Sequence, residues 1–208
     1  MTTTRGMEGF VPADVPVTAP VTKFGGRPVW LDAPRWPVNE AWDEPMRFVC
    51  QIALEPVLGE AGRGRIAYVF VTHADHGDET FFDPDVVFPD EGANAVVVQP
   101  GGTYRGATLP TATGPTLYHP GDGSDAEYTV RLRPPEEDDP AAPLDGDKIG
   151  GVPAFFQGDG TPEGGPWVLA LQLDANFKPF TLHLGASPTA YVFVSTDGAE
   201  GRMVVQDS

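Results

Sequence analysis

The residues TKFGGRPVW at positions 22–30 return in altered form as DKIGGVPAFFQ at positions 147–157, and this repetition constrains the fold more than any other feature. Lys23, Gly25, Gly26, Pro28 and Trp30 match Lys148, Gly150, Gly151, Pro153 and Phe155 at an offset of 125 residues. Two further blocks follow in the same order. Pro45 and Gln51 match Pro166 and Gln172 at an offset of 121, and AYVFV stands at 67–71 and again at 190–194, an offset of 123. The small changes in offset fall in loops, where insertions are tolerated. A period this long implies two duplicated half-domains rather than a solenoid of short repeats.

The local sequence points to strands. With 25 glycines and 23 prolines in 208 residues, few windows allow an uninterrupted helix. RFVCQIAL (47–54) alternates, which places Phe48, Cys50, Ile52 and Leu54 on one face, and RIAYVFVT (65–72) is rich in β-branched and aromatic residues. AVVVQ (95–99), YTVRLR (128–133), WVLALQL (167–173) and AYVFVS (190–195) read the same way. The expected fold is mainly β (a β-rich α+β fold), roll-like or sandwich-like, built from two pseudo-duplicated β halves. Short helical turns are expected only near 39–44 and 85–94.

Each repeated block has a structural reading. In K-x-G-G-x-P the paired glycines allow positive φ or close backbone approach, proline stiffens the exit, and Trp30 or Phe155 plugs the core; the motif reads as a turn entering a strand. A phosphate cradle is the sharper alternative, but the spacing matches neither G-x-x-x-x-G-K-[ST] nor G-x-G-x-x-G. Gln51 and Gln172 lie opposite the apolar side of their strands, where an amide satisfies neighbouring backbone groups.

These residues carry a resemblance. The K-[FI]-G-G-x-P motif near both starts, the Q-[IL] strand and the aromatic-rich strand after it resemble the YwqG-like family of uncharacterised bacterial proteins, over about residues 21–194. The segment FFDPDVVFPDEGANAVVVQPGG resembles that family's middle region, whereas residues 101–147 match it poorly. The resemblance implies a mainly β, roll-like, internally duplicated fold, and brings no agreed activity and no catalytic residues.

Organisation follows the repeat. Residues 1–20 are expected to form a flexible or surface-lying leader, 21–133 an N-terminal β half, 134–147 an acidic, proline-rich linker, and 148–208 a C-terminal β half, together one compact domain. The single cysteine, Cys50, excludes an intramolecular disulfide. No stretch approaches the length of a membrane helix and the start lacks a signal-peptide core, so the chain reads as cytoplasmic. Thirteen Lys and Arg against 30 Asp and Glu give a net charge of −17, which repels nucleic acid and attracts basic surfaces, besides favouring solubility.

One cluster points to chemistry. THADHGDE (72–79) places His73, Asp75, His76 and Asp78 just after the first AYVFV strand, and mixed imidazole–carboxylate sets bind zinc or iron(II). It matches no H-E-x-x-H pattern, and the corresponding STDGAE of the second half keeps no histidine, so the alternative is a solvated acidic loop. No G-x-S-x-G elbow is present, Cys50 sits among apolar neighbours, and HPGDGSDAE (119–127) lacks calcium-loop spacing and reads as a turn. The favoured expectation is a protein-interaction module without a cofactor that binds a basic partner, as an immunity-type protein neutralises a cationic toxin. The alternative is a metal-assisted hydrolase or small-ligand binder, using a divalent metal or the cleft between the halves.

Overall fold

The two AYVFV blocks build the same structure twice. A computed structural model describes residues 2–72 and 82–208. Its strands are numbered β1 to β14 along the chain. The first block lies in β6 (Ile66–Val71) and the second in β13 (Thr189–Ser195). Ala67, Val69 and Val71 share one core with Ala190, Val192 and Val194. Tyr68 and Phe70 point the other way into a second cluster, and Tyr191 and Phe193 into a third. Both faces of each strand are covered, which is why these segments read as unbroken apolar runs.

Around these strands each half repeats one antiparallel order. The first half runs β2 (Lys23–Gly25), β5 (Arg47–Ala53), β6 and β7 (Asn94–Gln99); the second runs β11 (Lys148–Gly150), β12 (Trp167–Asp174), β13 and β14 (Gly201–Gln206). Between the halves lie β1 (Thr2–Pro12) and β9 (Glu127–Leu132), giving the sheet order β14-β13-β12-β11-β1-β9-β2-β5-β6-β7. Read outward from the β1–β9 pair, the sequence of strands is the same in both directions, as a pseudo-twofold relation requires. The sheet curls until its two edge strands, β7 and β14, come together, so it is nearly closed around the shared core. Phe24 and Phe180 belong to that core and the partly buried Phe10 packs on them, with its ring centroid 5.0 Å from Phe24 and 5.2 Å from Phe180.

A second, three-stranded sheet covers the outside of the first half. It has β3 (Trp36–Asn39) between β4 (Glu44–Pro45) and β8 (Thr108–Leu109). Trp36 is buried against Phe70 at 5.2 Å between ring centroids, and its Nε1 donates to the Met46 carbonyl at 2.7 Å.

Several sequence expectations are corrected here. Phe48 does not share a face with Cys50 and Ile52: a β-bulge between Phe48 and Cys50 turns Phe48 to the outer cluster and leaves Val49, Cys50 and Ile52 in the inner one. The same bulge recurs between Leu169 and Leu171 in β12. The leader expected at 1–20 does not hold for Thr2–Pro12, which pairs with β9 on one side and with β11 and β10 (Glu136–Asp138) on the other. Its backbone groups complete both halves, so it is central to the sheet. The acidic segment 134–147 is largely exposed, but Asp138 is buried. Residues 40–43 form a turn; short helical turns occur at Glu55–Leu58, Gly59–Gly62 and Pro84–Val87. Among the described residues no helix is long and apolar enough to cross a membrane.

Candidate functional site

The repeat signature builds a buried lysine clamp in each half. Lys23 is 0 % exposed; its Nζ donates to Glu127 Oε1 at 2.5 Å and to the carbonyls of Gly25 and Arg27 at 3.2 and 2.6 Å. Lys148, also 0 % exposed, donates to Asp138 Oδ2 at 3.1 Å and to the carbonyls of Leu144 and Val152, both at 2.5 Å. Three acceptors satisfy each ammonium, which is what a cation removed from water requires. Burial holds both lysine pKa values below the ordinary range, and the paired carboxylates act against that shift. Burial pushes Asp138 up, but the N–H groups of Leu144 and Val152 and the Lys148 charge outweigh it, leaving its pKa lowered.

The paired glycines let the backbone fold over each clamp. Gly25 has φ 65°, and a Cβ there would lie 2.0 Å from the Ala126 carbonyl oxygen; at Gly151, with φ 88°, it would lie 2.3 Å from Asp138 Oδ2. Gly26 and Gly150 also take positive φ. The motif is thus a strand running into a turn rather than a turn entering a strand, and Pro28 and Pro153 lead the chain away from it.

Side-chain amides then pin the loop after each turn. Gln51 Oε1 accepts from Val29 N–H at 2.9 Å and its Nε2 donates to the Val21 carbonyl at 2.8 Å. Gln172 does the same with Ala154 N–H, 2.9 Å, and the Gly146 carbonyl, 3.0 Å. A second amide pair was not anticipated from sequence. Gln99 Oε1 accepts from Leu31 and Asp32 N–H while Nε2 donates to the Ala33 carbonyl; Gln206 repeats this with Phe156, Gln157 and Gly158. The signal was present as VVQ at 97–99 and 204–206. Likewise Tyr68 Oη donates to the Val29 carbonyl at 2.6 Å and Tyr191 Oη to the Ala154 carbonyl at 2.9 Å.

These groups are consumed by the fold; among the described residues, one open groove lies at the seam where β7 approaches β14. Gly201 makes that approach possible, because a Cβ there would stand 2.3 Å from Val96 Cγ1. Thr103 N–H donates to the Ala199 carbonyl at 2.8 Å and Arg65 Nη1 to the Gly198 carbonyl at 2.6 Å, which joins the halves. Beside this junction is a groove of about 400 Å³ bounded by residues 38–41, 89–92, 103–106 and 200–202. Its charged groups are Glu40, Asp90, Glu91 and Glu200 against Arg105 and Arg202. Arg202 is engaged by Asp90 at 3.2 Å and Glu200 at 3.5 Å. Tyr104 stays a neutral hydroxyl at physiological pH, its pKa raised to about 12 by burial and then by Glu40, against the Arg35 charge. Asn39 anchors one wall: its Nδ2 donates to Thr72 Oγ1 at 2.8 Å and its Oδ1 accepts from Ala41 N–H at 3.0 Å.

The proposed metal ligands His73, Asp75, His76 and Asp78 lie outside the described residues. Among the described residues no group of three or more His, Cys, Asp or Glu side chains is placed to hold a metal ion. Cys50 is fully buried, and desolvation raises its thiol pKa far above the ordinary value. The 119–127 segment forms a turn in which Asp122 Oδ1 accepts from Ser124 N–H at 2.9 Å and from Ser124 Oγ at 2.8 Å. Compared with protein-family models and with curated proteins, the chain matches none.

Proposed function

We propose that the protein is an acidic binding module that takes a basic protein partner, in the manner of an immunity protein, with the polar groove at the seam as its point of contact. The charge balance of that groove carries the reading. Four carboxylates face two guanidiniums, and one of those, Arg202, is already paired with Asp90 and Glu200. A cationic side chain entering the groove therefore meets surplus negative charge, and the net charge of −17 steers a basic surface toward it. The YwqG-like resemblance is part of the same reading and adds no activity to it.

Titration with an arginine-rich peptide tests the proposal. Affinity should fall as salt rises, and Glu40→Gln with Glu91→Lys should weaken binding several-fold. Glu8→Lys with Glu137→Lys raises the net charge at least as much at exposed positions on β1 and β10. Equal weakening by that control pair would remove the groove from the argument.

The size of the groove, about 400 Å³, also suits a small cationic ligand, and a diamine competing with the peptide would favour that version. The metal-assisted reading rests on His73, Asp75, His76 and Asp78. Stoichiometric zinc, manganese or iron in purified protein, lost on His73→Ala, would replace the binding-module proposal.

A further inference from the structure

We propose that a second groove, beside Val204 and adjoining the first at Pro89, docks an extended partner segment in which an aromatic residue is followed by a basic one. This inference deepens the binding-module reading and rests on it.

The duplication supplies an internal template. Gln99 and Gln206 make the same three backbone bonds, so residues 31–33 correspond to 156–158 and β7 to β14. The register agrees, since Tyr68 pairs with Val97 and Tyr191 with Val204. By the same offset Thr161 stands where the first half has Trp36. Val97 is 0 % exposed, in a cluster with Trp36 against which Tyr104 packs. Tyr104 reaches that place because the chain turns back after β7, with Gly102 lying on the Val98 carbonyl and Thr103 bonded to Ala199.

In the second half Thr161 brings no ring to this place. Val204 is only half-buried, and over it lies a groove of about 570 Å³ to which Val87, Phe88 and Pro162 contribute apolar surface. Phe88 is 54 % exposed. Glu163 and Asp207 border the groove. Asp207 already accepts from Ala186 and Ser187 N–H, so its charge is held in place. The occupant that the first half provides for itself is Tyr104 followed by Arg105. An aromatic ring would cover Val204 and Phe88, and the following cation would meet Glu163 and Asp207.

The probe is the heptapeptide PGGTYRG, a copy of residues 100–106, added to the full chain while backbone amides are followed by NMR. Shifts should concentrate at residues 160–163 and 204–207. Phe88→Ala, an exposed position, and Thr161→Trp, which restores the missing ring, should each weaken binding about tenfold, as should PGGTARG and PGGTYEG. Shifts confined to residues 39–41 and 103–106, or no shift at any concentration, would overturn the proposal. Equal binding of PGGTARG would also overturn it while leaving the basic-partner reading intact; if the arginine-rich peptide fails as well, both fall.

Discussion

Lys23 and Lys148 occupy equivalent places in the two halves, each with its ammonium buried, each bonded to two backbone carbonyls and one carboxylate, yet the carboxylates come from different elements: Glu127 lies on β9 and Asp138 on β10. The backbone partner of Gly150 is Thr4 on β1, which carries no charge, so the second clamp recruits its acid from the added strand.

Removing either acid strands a buried cation. Glu127→Gln and Asp138→Asn should each destabilise the fold by about 3–5 kcal/mol, measured by denaturant unfolding. Lys148→Met with Asp138→Leu should recover much of the loss, because the desolvation cost disappears with the charges. A double variant as unstable as the two singles combined would show that the clamp is not a coupled pair.

The same pair sets an acid limit. The pKa of Asp138 is lower in the folded chain than in the unfolded one, so the unfolded state binds more protons through that interval and stability rises with pH there. The contribution is complete above the unfolded value of about 3.9 and is lost as pH falls through the folded value. Thermal unfolding should show a wide gap between the unaltered chain and Asp138→Asn near about pH 6, closing in stronger acid. A gap unchanged into acid would place the sensitivity elsewhere.

The amide staples should be equivalent in kind. Gln51→Leu and Gln172→Leu each leave a loop N–H and a carbonyl without their partner, and each should cost about 1–3 kcal/mol. Amide exchange should accelerate at Val29 in the first variant and at Ala154 in the second, the groups that lose an acceptor. Unchanged protection would mean that water replaces the amide at no cost.

The seam is tight at one point. Gly201→Ala should destabilise by about 1–3 kcal/mol, because its Cβ collides with the stiff, buried side chain of Val96. Combining it with Val96→Ala should cost less than the sum of the two changes. Additive losses would mean that β7 and β14 do not meet there.

The strands were legible because their chemistry is local. AYVFV and VVVQ are β-branched and aromatic runs that favour strands, WVLALQL is read as a strand through its match to the first half, and the repeat of K-x-G-G-x-P announced two copies. Residues 2–12 were not legible: TTTRGMEGFVP has weak alternation, and only the open edges of β9 and β11 make it a strand. The bulges at Val49 and Ala170 were hidden as well, since an inserted residue changes which face a side chain takes without changing composition.

By itself, then, the sequence determined that this is a duplicated, mainly β, strongly acidic chain, since periodicity, turn residues and net charge are properties of neighbours and sums. Only the tertiary structure decided that Lys23 and Lys148 are clamps and that the two halves share one core. It also decided that a groove forms at the seam, where Glu40, Glu91 and Arg202 come together from segments far apart in sequence. Those meetings depend on how a sheet curls and where its edges fall, and curvature is set by the packing of the whole interior.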